Sequence, residues 1–277
     1  MYTEFYKLKG RPFQLSPDPR FFFEGKPHKK ALAYLTYGIS QREGFIVITG
    51  EIGAGKTILV EYILSTFIGK NVIAAKVVTT QVNADDLLRM VATAFDVPQE
   101  NVDKATLLRR MESFLVDCNR TNRTVLLFVD EAQNLPHSAL EELRMLSNMQ
   151  TGGRSLLQIY LLGQPEFRRT IARKSLEQLR QRVITSYHLQ PLDAEETRQY
   201  IEHRLDLVGW DNDPEFSPEA YKMIFEATGG VPRKINLLCD RLLLLGYLEE
   251  KHEIDADIVK EVVLDMHTEG SAPALSA

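Results

Sequence analysis

The chain of 277 residues is long enough for one large domain or two modest ones with a sizeable core. Its 44% hydrophobic content is ordinary for a globular protein, and 33 Lys and Arg against 38 Asp and Glu leave a net charge of -5, which speaks against a dedicated nucleic-acid binder. Cys118 and Cys239 show no metal-ligand spacing and no disulfide framework, the N-terminus has no signal peptide, and the greasy "INLLCDRLLLLGYL" is broken by Asp240 and Arg241 and too short to span a bilayer. A reducing compartment and no membrane span of its own are therefore expected.

Read in chain order, "GFIVITG" is an apolar run ending in glycine, the mark of a strand buried on both faces, and "TILVEYILSTFI" follows with helical spacing. "NVIAAKVVTT" reads as a second strand. "ADDLLRMVATAF", with Asn83 as N-cap, and "DKATLLRRMESFLVDCNR" read as helices. "TVLLFVDE" is a third strand and "SALEELRMLSNMQ" a helix. "SLLQIYLLG" is a fourth strand, "EFRRTIARKSLEQLRQR" a helix and "VITSYHL" a fifth strand. This alternation predicts an α/β fold with a five-stranded parallel sheet covered on both sides.

Near Pro191 the pattern changes and no further strand is expected. Asp193 and Glu196 have capping-box spacing, and Ser217 with Pro218 opens another helix. "PRKINLLCDRLLLLGYLEE" and "DADIVKEVVLDM" complete four helices. The expected division is an N-terminal segment over 1–43, an α/β domain over 44–191, a helical lid over 192–267 and a disordered tail over 268–277.

Gly50, Gly55, Lys56 and Thr57 match G-x-x-x-x-G-K-[ST], with Glu51, Ile52, Gly53 and Ala54 inside the turn and Ile58 after it. Glycines let the backbone wrap tightly and aim several N–H groups at an anion, and the following helix adds its positive end. A match somewhere in a chain of this composition would arise by chance roughly once in a hundred. In this pattern Lys56 reaches the outer phosphates and the Thr57 hydroxyl ligates Mg²⁺. Asp130, at the end of a buried strand, can hold the Mg²⁺ hydration shell, and Glu131 can polarise an attacking water.

Gln164 ends the fourth strand and would face the γ-phosphate if that strand lies between the two motif strands. Arg180 and Arg182 end a helix, where a cation favours the helix dipole, or they form an arginine finger for a neighbouring subunit. Arg233, in "GGVPR", puts a positive charge at the first turn of a helix against the dipole, which points to an anionic partner such as the nucleotide phosphate.

Taken together, these residues resemble the AAA+ ATPase superfamily. More narrowly, "FYKLKGRPFQLSPDPRFFF", "YGISQREGFIVITGEIGAGKT", "VDEAQNLP", "LEELRMLSN" and "LLGQPEF" resemble the general secretion pathway protein A family. "ITGEIGAGKT", "LRQRVITSYHLQPL" and "IEHRLDLVGW" are most similar to ATPases of exosortase and exopolysaccharide loci. The resemblance implies a cytoplasmic, ATP- and Mg-dependent ATPase that forms homo-oligomers and serves inner-membrane export or polysaccharide machinery, peripheral at that membrane through a partner. It implies Walker A roles for Lys56 and Thr57 and Walker B roles for Asp130 and Glu131. Gln164 takes sensor 1, Arg182 the finger (Arg180 the alternative) and Arg233 sensor 2. The N-terminal segment and His28 would lie near the adenine. Ile58 departs from the Thr or Ser common after the turn, but it is not a metal ligand. Family members often continue into a membrane span and a peptidoglycan-binding domain; the chain stops after the lid, so a direct cell-wall role is not expected.

The alternative from another class is an ATP-dependent DNA regulator of the transposition or replication-licensing type. The negative charge lowers that option, and stable nucleic-acid binding is not expected. The basic runs "RRMESFLVDCNRTNR" and "EFRRTIARKSLEQLRQR" read more simply as solvated helix faces. A nucleotide-gated scaffold is opposed by the intact Glu131, and a small-molecule kinase has no use for a finger in trans.

Overall fold

The computed structural model describes residues 1–41, 44–67, 70–79 and 82–268, with the side chain of Ser40 left aside. Most of the expected tail therefore lies outside the described residues, as do Ile68 and Thr80 at the ends of two expected elements. In chain order the elements are α1 (Tyr2–Phe5), α2 (Lys26–Gln41), β1 (Phe45–Gly50), α3 (Lys56–Thr66), β2 (Val72–Val78), α4 (Ala84–Ala94), α5 (Lys104–Arg120), β3 (Thr124–Asp130) and α6 (His137–Ser147). There follow β4 (Gln150–Thr151), β5 (Arg154–Ser155), β6 (Leu157–Gly163), α7 (Glu166–Ile171), α8 (Glu177–Arg180), β7 (Val183–Leu189), α9 (Ala194–Asp206), β8 (Glu215–Phe216), α10 (Pro218–Thr228), α11 (Pro232–Leu248), β9 (Glu253–Ile254) and α12 (Ala256–Thr268). The chain divides into two compact units, one of residues 30–50 and 59–189, the other of residues 1–29, 51–58 and 190–277.

The first unit is built on a sheet of, among the described residues, five parallel strands in the order β2-β3-β6-β1-β7. Every residue of β1 and β6 is buried, as expected of strands covered on both faces. Helix α5 buries Leu107, Met111, Leu115 and Cys118, one stripe at helical spacing, and α4 buries Leu87, Leu88, Val91 and Ala92. Asn83 caps α4 as expected, accepting from the Asp86 N–H at 2.9 Å. Within α2, Gly38 is required: a Cβ there would lie 1.5 Å from Ile46 Cδ1. The Tyr160 hydroxyl on β6 donates to Leu35 O of α2 (3.2 Å), while its ring stacks on Phe128 of β3.

Two expectations for this unit need correction. The single helix over 166–182 is broken into α7, a short 3₁₀ turn and α8. Its buried residues Phe167, Ile171, Leu176 and Leu179 include a five-residue step that one straight helix could not keep on one face. The helix after β3 stops at Ser147, and Gln150–Ser155 form a small hairpin around Gly152 and Gly153, both in the left-handed region.

The second unit has a core of its own, contributed by α9 to α12 and by the N-terminal segment: Tyr2, Tyr6, Phe13 and Phe21 are buried with Ile201, Leu205, Leu238 and Leu242. The Tyr2 hydroxyl donates to Asp240 (2.6 Å) and that of Tyr6 to Lys251 O (2.9 Å). Gly246 in the last turn of α11 makes room for Tyr6, whose hydroxyl would lie 2.4 Å from an added Cβ. Buried Arg204 donates to Pro12 O, Gln14 O and the Tyr200 hydroxyl, with its guanidinium over the Phe21 ring. The Asp193–Glu196 capping box and the Ser217 cap form as expected. The expectation of no strand after 191 is corrected by β8 and β9, which pair in parallel. Buried Phe216 and Ile254 follow exposed Glu215 and Glu253, an alternation only two residues long and invisible to a periodicity reading.

Candidate functional site

The glycine turn belongs to the second unit, where it packs between the starts of two helices. Gly53 and Gly55 have φ of +82° and +97°, a region that disfavours any side chain. A Cβ on Gly53 would also lie 2.4 Å from Arg233 Cβ, and one on Gly55 2.8 Å from His28 Nε2. The Ala54 N–H donates to Glu51 O (3.1 Å), and Lys56, buried at the first position of α3, donates through Nζ to the same carbonyl (2.9 Å). Thr57 and Ile58 follow half-buried in the first turn of α3, and Ile52 is 63% exposed at the tip. Such a loop at a helix N-terminus gathers backbone N–H groups and one ammonium, the chemistry that holds phosphates.

Arg233 meets this loop through its backbone. Its N–H donates to Gly53 O (3.2 Å), while its side chain is exposed at the first turn of α11. Gly229 and Gly230, both in the left-handed region, bring α11 there: Gly230 O accepts from the Leu192 N–H (2.9 Å), and a Cβ on Gly230 would collide with Leu192 O. The N-terminal segment, expected near the adenine, is mostly packed into the core of this unit, and His28 sits against Ala54 and Gly55.

The acid pair belongs to the first unit. Since β1, β3 and β6 run parallel, Gly50, Asp130 and Gly163 end on one edge of the sheet, and β6 lies between the two motif strands. Asp130 is buried and its Oδ1 accepts from the Glu131 N–H (3.0 Å). Glu131 itself is left-handed (φ 55°, ψ 37°), an unfavourable backbone for a residue with a side chain. Thr79 holds it there: its hydroxyl lies 2.8 Å from Asp130 O and 2.9 Å from Glu131 O, and Asn134 Nδ2 donates to Thr79 O.

The Glu131 carboxylate accepts from the side-chain amides of Gln133 and Gln164, the latter at 3.3 Å, and Gln133 Oε1 accepts the Gln164 backbone N–H (3.0 Å). Gln133, Thr79 and Lys76 were missed by the sequence reading. Lys76 pairs with Glu61 (2.8 Å) and lies 4.0 Å from Asp130 Oδ2. A lysine in mid-strand, "NVIAAKVV", was a usable signal for a buried carboxylate; Gln133, two residues after Glu131, carried none.

Arg182 and Arg180 are not brought to this edge. Val183 pairs with Phe45, the first residue of β1, and the Phe45 N–H donates to Arg182 O (2.8 Å). Arg182 thus stands at the opposite edge of the sheet from Glu131, about 20 Å away along strands of this length. Arg180 is exposed and donates to Ala172 O (3.2 Å).

With the sheet order and the two motif ends in hand, comparison with known proteins is decisive about the fold. Residues 39–171 match the family model described as an AAA domain. The chain carries an AAA domain. Its α/β P-loop AAA+ fold, with the sheet above and a C-terminal helical region, is shared with solved structures. The Aeropyrum pernix ORC2 protein superposes with a TM-score of 0.70 at 17% identity, covering 92% of this chain and 71% of that one. The Thermotoga maritima RuvB Holliday junction branch migration motor gives 0.57 at 18%, covering 94% and 74%. In sequence the AAA chain is homologous to general secretion pathway protein A of Aeromonas hydrophila, 36% identical over 256 residues. That alignment takes in 92% of this chain but 46% of the relative, so the chain spans about half the relative's length. An AAA domain implies nucleotide binding, typically with Mg²⁺. Among the described residues, no helix is long and apolar enough to cross a membrane.

Proposed function

We propose that the protein binds ATP with Mg²⁺ and hydrolyses it, working as a self-assembling switch or motor for a secretion-type export assembly. The observation that carries hydrolysis is the Glu131 carboxylate, placed just past a buried strand end and held by the amides of Gln133 and Gln164. An oriented carboxylate there can take a proton from water and aim its oxygen. The glycine loop fits a nucleotide's phosphates: its backbone is held in a form that only glycine adopts freely, and buried Lys56 supplies the charge. Thr57 and Asp130 each offer an oxygen of the kind Mg²⁺ takes, and that ion would supply charge neutralisation of the phosphates. Gln164 orients Glu131 and is the sensor of the outer phosphate; Arg233 is the cation that follows the lid.

Self-assembly is supported by Arg182. At the opposite sheet edge it cannot reach the Glu131 edge of its own chain, so a finger role requires a second copy. The export role is supported by the Aeromonas hydrophila relative, and the polysaccharide variant of it only by the resemblance carried by "ITGEIGAGKT", "LRQRVITSYHLQPL" and "IEHRLDLVGW". ATP turnover against protein concentration, with and without duplex DNA, tests the reading. Turnover per subunit should rise with concentration and ignore DNA. Strong stimulation by DNA would replace the export reading with the transposition-like one, and no turnover with any partner or concentration would end the hydrolase reading.

A further inference from the structure

We infer that His28 is the positioning residue that sets the peptide planes of the phosphate loop, acting through the loop's backbone and not on the nucleotide base; this rests on the ATP-binding reading above. His28 lies on the first turn of α2, 4% exposed, with Nε2 3.2 Å from Ala54 O. A carbonyl oxygen can only accept, so Nε2 carries the hydrogen and Nδ1 the lone pair. Nδ1 is buried and finds no partner among the described residues. With that nitrogen sealed and the other spent on Ala54, no ring atom is left to read an adenine. Burial also holds the imidazole below its ordinary pKa, so the ring stays neutral.

What the bond does follows from peptide geometry. In a planar trans peptide the C=O and the next N–H point in opposite directions. Drawing Ala54 O onto His28 therefore turns the Gly55 N–H away from α2. The imidazole also occupies the space a Gly55 side chain would need, since a Cβ there would sit 2.8 Å from Nε2. His28 is itself held in place. Glu196, the capping-box residue of α9, accepts the Lys26 N–H as well as the Asp193 N–H, and the Lys26 ammonium pairs with Asp193 at 2.9 Å. Phe22 packs edge-on against the ring, with centroids 5.7 Å apart.

Two amides separate this role from general packing. The Gln amide reaches as far as the imidazole Nε2, whereas the Asn amide stops short. Wild type, His28→Gln, His28→Asn and Lys56→Ala are titrated with a fluorescent ATP analogue and Mg²⁺, and KM and kcat for ATP are measured. His28→Asn should weaken binding and raise KM about tenfold with kcat nearly kept, and His28→Gln should stay within about threefold of wild type. Equal affinity in all three His28 proteins, or equal loss in both variants, overturns the proposal while leaving ATP binding standing. A wild type that binds no better than Lys56→Ala overturns the ATP-binding reading and this inference with it. Should neither variant fold, nitrogen NMR of the wild-type imidazole decides. The Nε2–H tautomer with a slowly exchanging proton is expected, and an Nδ1–H tautomer overturns the proposal.

Discussion

Gly53 and Arg233 touch backbone to backbone: the Arg233 N–H donates to Gly53 O at 3.2 Å, and a methyl group on Gly53 would lie 2.4 Å from Arg233 Cβ. The start of α11 is thereby fitted closely to the loop, backbone against backbone. Gly53→Ala meets two costs, a left-handed backbone of about 1–2 kcal/mol and a steric overlap of about 1–3 kcal/mol. The expected result is a protein less stable by about 2–5 kcal/mol in denaturant, with nucleotide affinity reduced at least as far as in Lys56→Ala. Unchanged stability would show that α11 and the loop can separate freely.

Glu131→Gln keeps the side chain's shape and removes its basicity. Nucleotide affinity should hold while turnover falls by about 10² or more, measured as single-turnover hydrolysis. Gln133→Leu removes one amide from a charged acceptor, worth roughly 1.5–3 kcal/mol, and should cost turnover about tenfold with affinity unchanged. Rapid hydrolysis by Glu131→Gln would remove Glu131 from the role of water activator.

Arg182→Ala should bind ATP nearly normally and lose turnover by up to about 10³. Mixing it with Glu131→Gln should restore part of the activity, because one assembly then contains both an intact finger and an intact acid. Full turnover by Arg182→Ala alone would move the role to Arg180 or remove it. The positions make the mixing test decisive, since Arg182 and Glu131 stand at opposite edges of one sheet.

The sheet was legible because its strands announce themselves: "FIVITG" and "TVLLFVD" are apolar runs with no competing helical period. The loop, the acid pair and the three caps were legible because each is a short motif with a local cause. Gln133 and the N-terminal segment were not. Gln133 acquires its meaning only when β6 lies beside β3 and brings Gln164 within reach. Tyr2 and Tyr6 read as ordinary aromatics near a chain end, and their burial depends on Asp240, Gly246 and Lys251, more than two hundred residues away. Contacts of that separation leave no periodic trace.

Arg204 gives a test of that N-terminal packing. Its guanidinium is buried against Phe21 and satisfies the carbonyls of Pro12 and Gln14. Arg204→Met keeps the volume and strands both acceptors, which should cost about 3 kcal/mol. Limited proteolysis should then cut within residues 9–22 before any other site, and a resistant segment would show that the aromatic core alone holds it.

Stability should also fall on mild acidification, for a reason located in two histidines. Burial lowers the pKa of both His28 and His203 from 6.5. Above 6.5 both rings are neutral whether the chain is folded or not, and their contribution is constant. As pH drops below 6.5 the unfolded chain takes up protons that the folded one refuses, so the unfolded state gains and stability declines until the folded pKa values are reached. Carboxylates such as Asp18 and Asp193, whose pKa values are lowered from 3.8 by their bonded partners, contribute a constant stabilisation across this range and lose it only in more acid solution, so the slope from 6.5 down to about 5 does not come from them. Thermal unfolding across that window should show a falling Tm, and His28→Gln should flatten the slope. An equal slope in the variant would mean that the His28 ring accepts a proton in the folded state and that its pocket opens more readily than its burial implies.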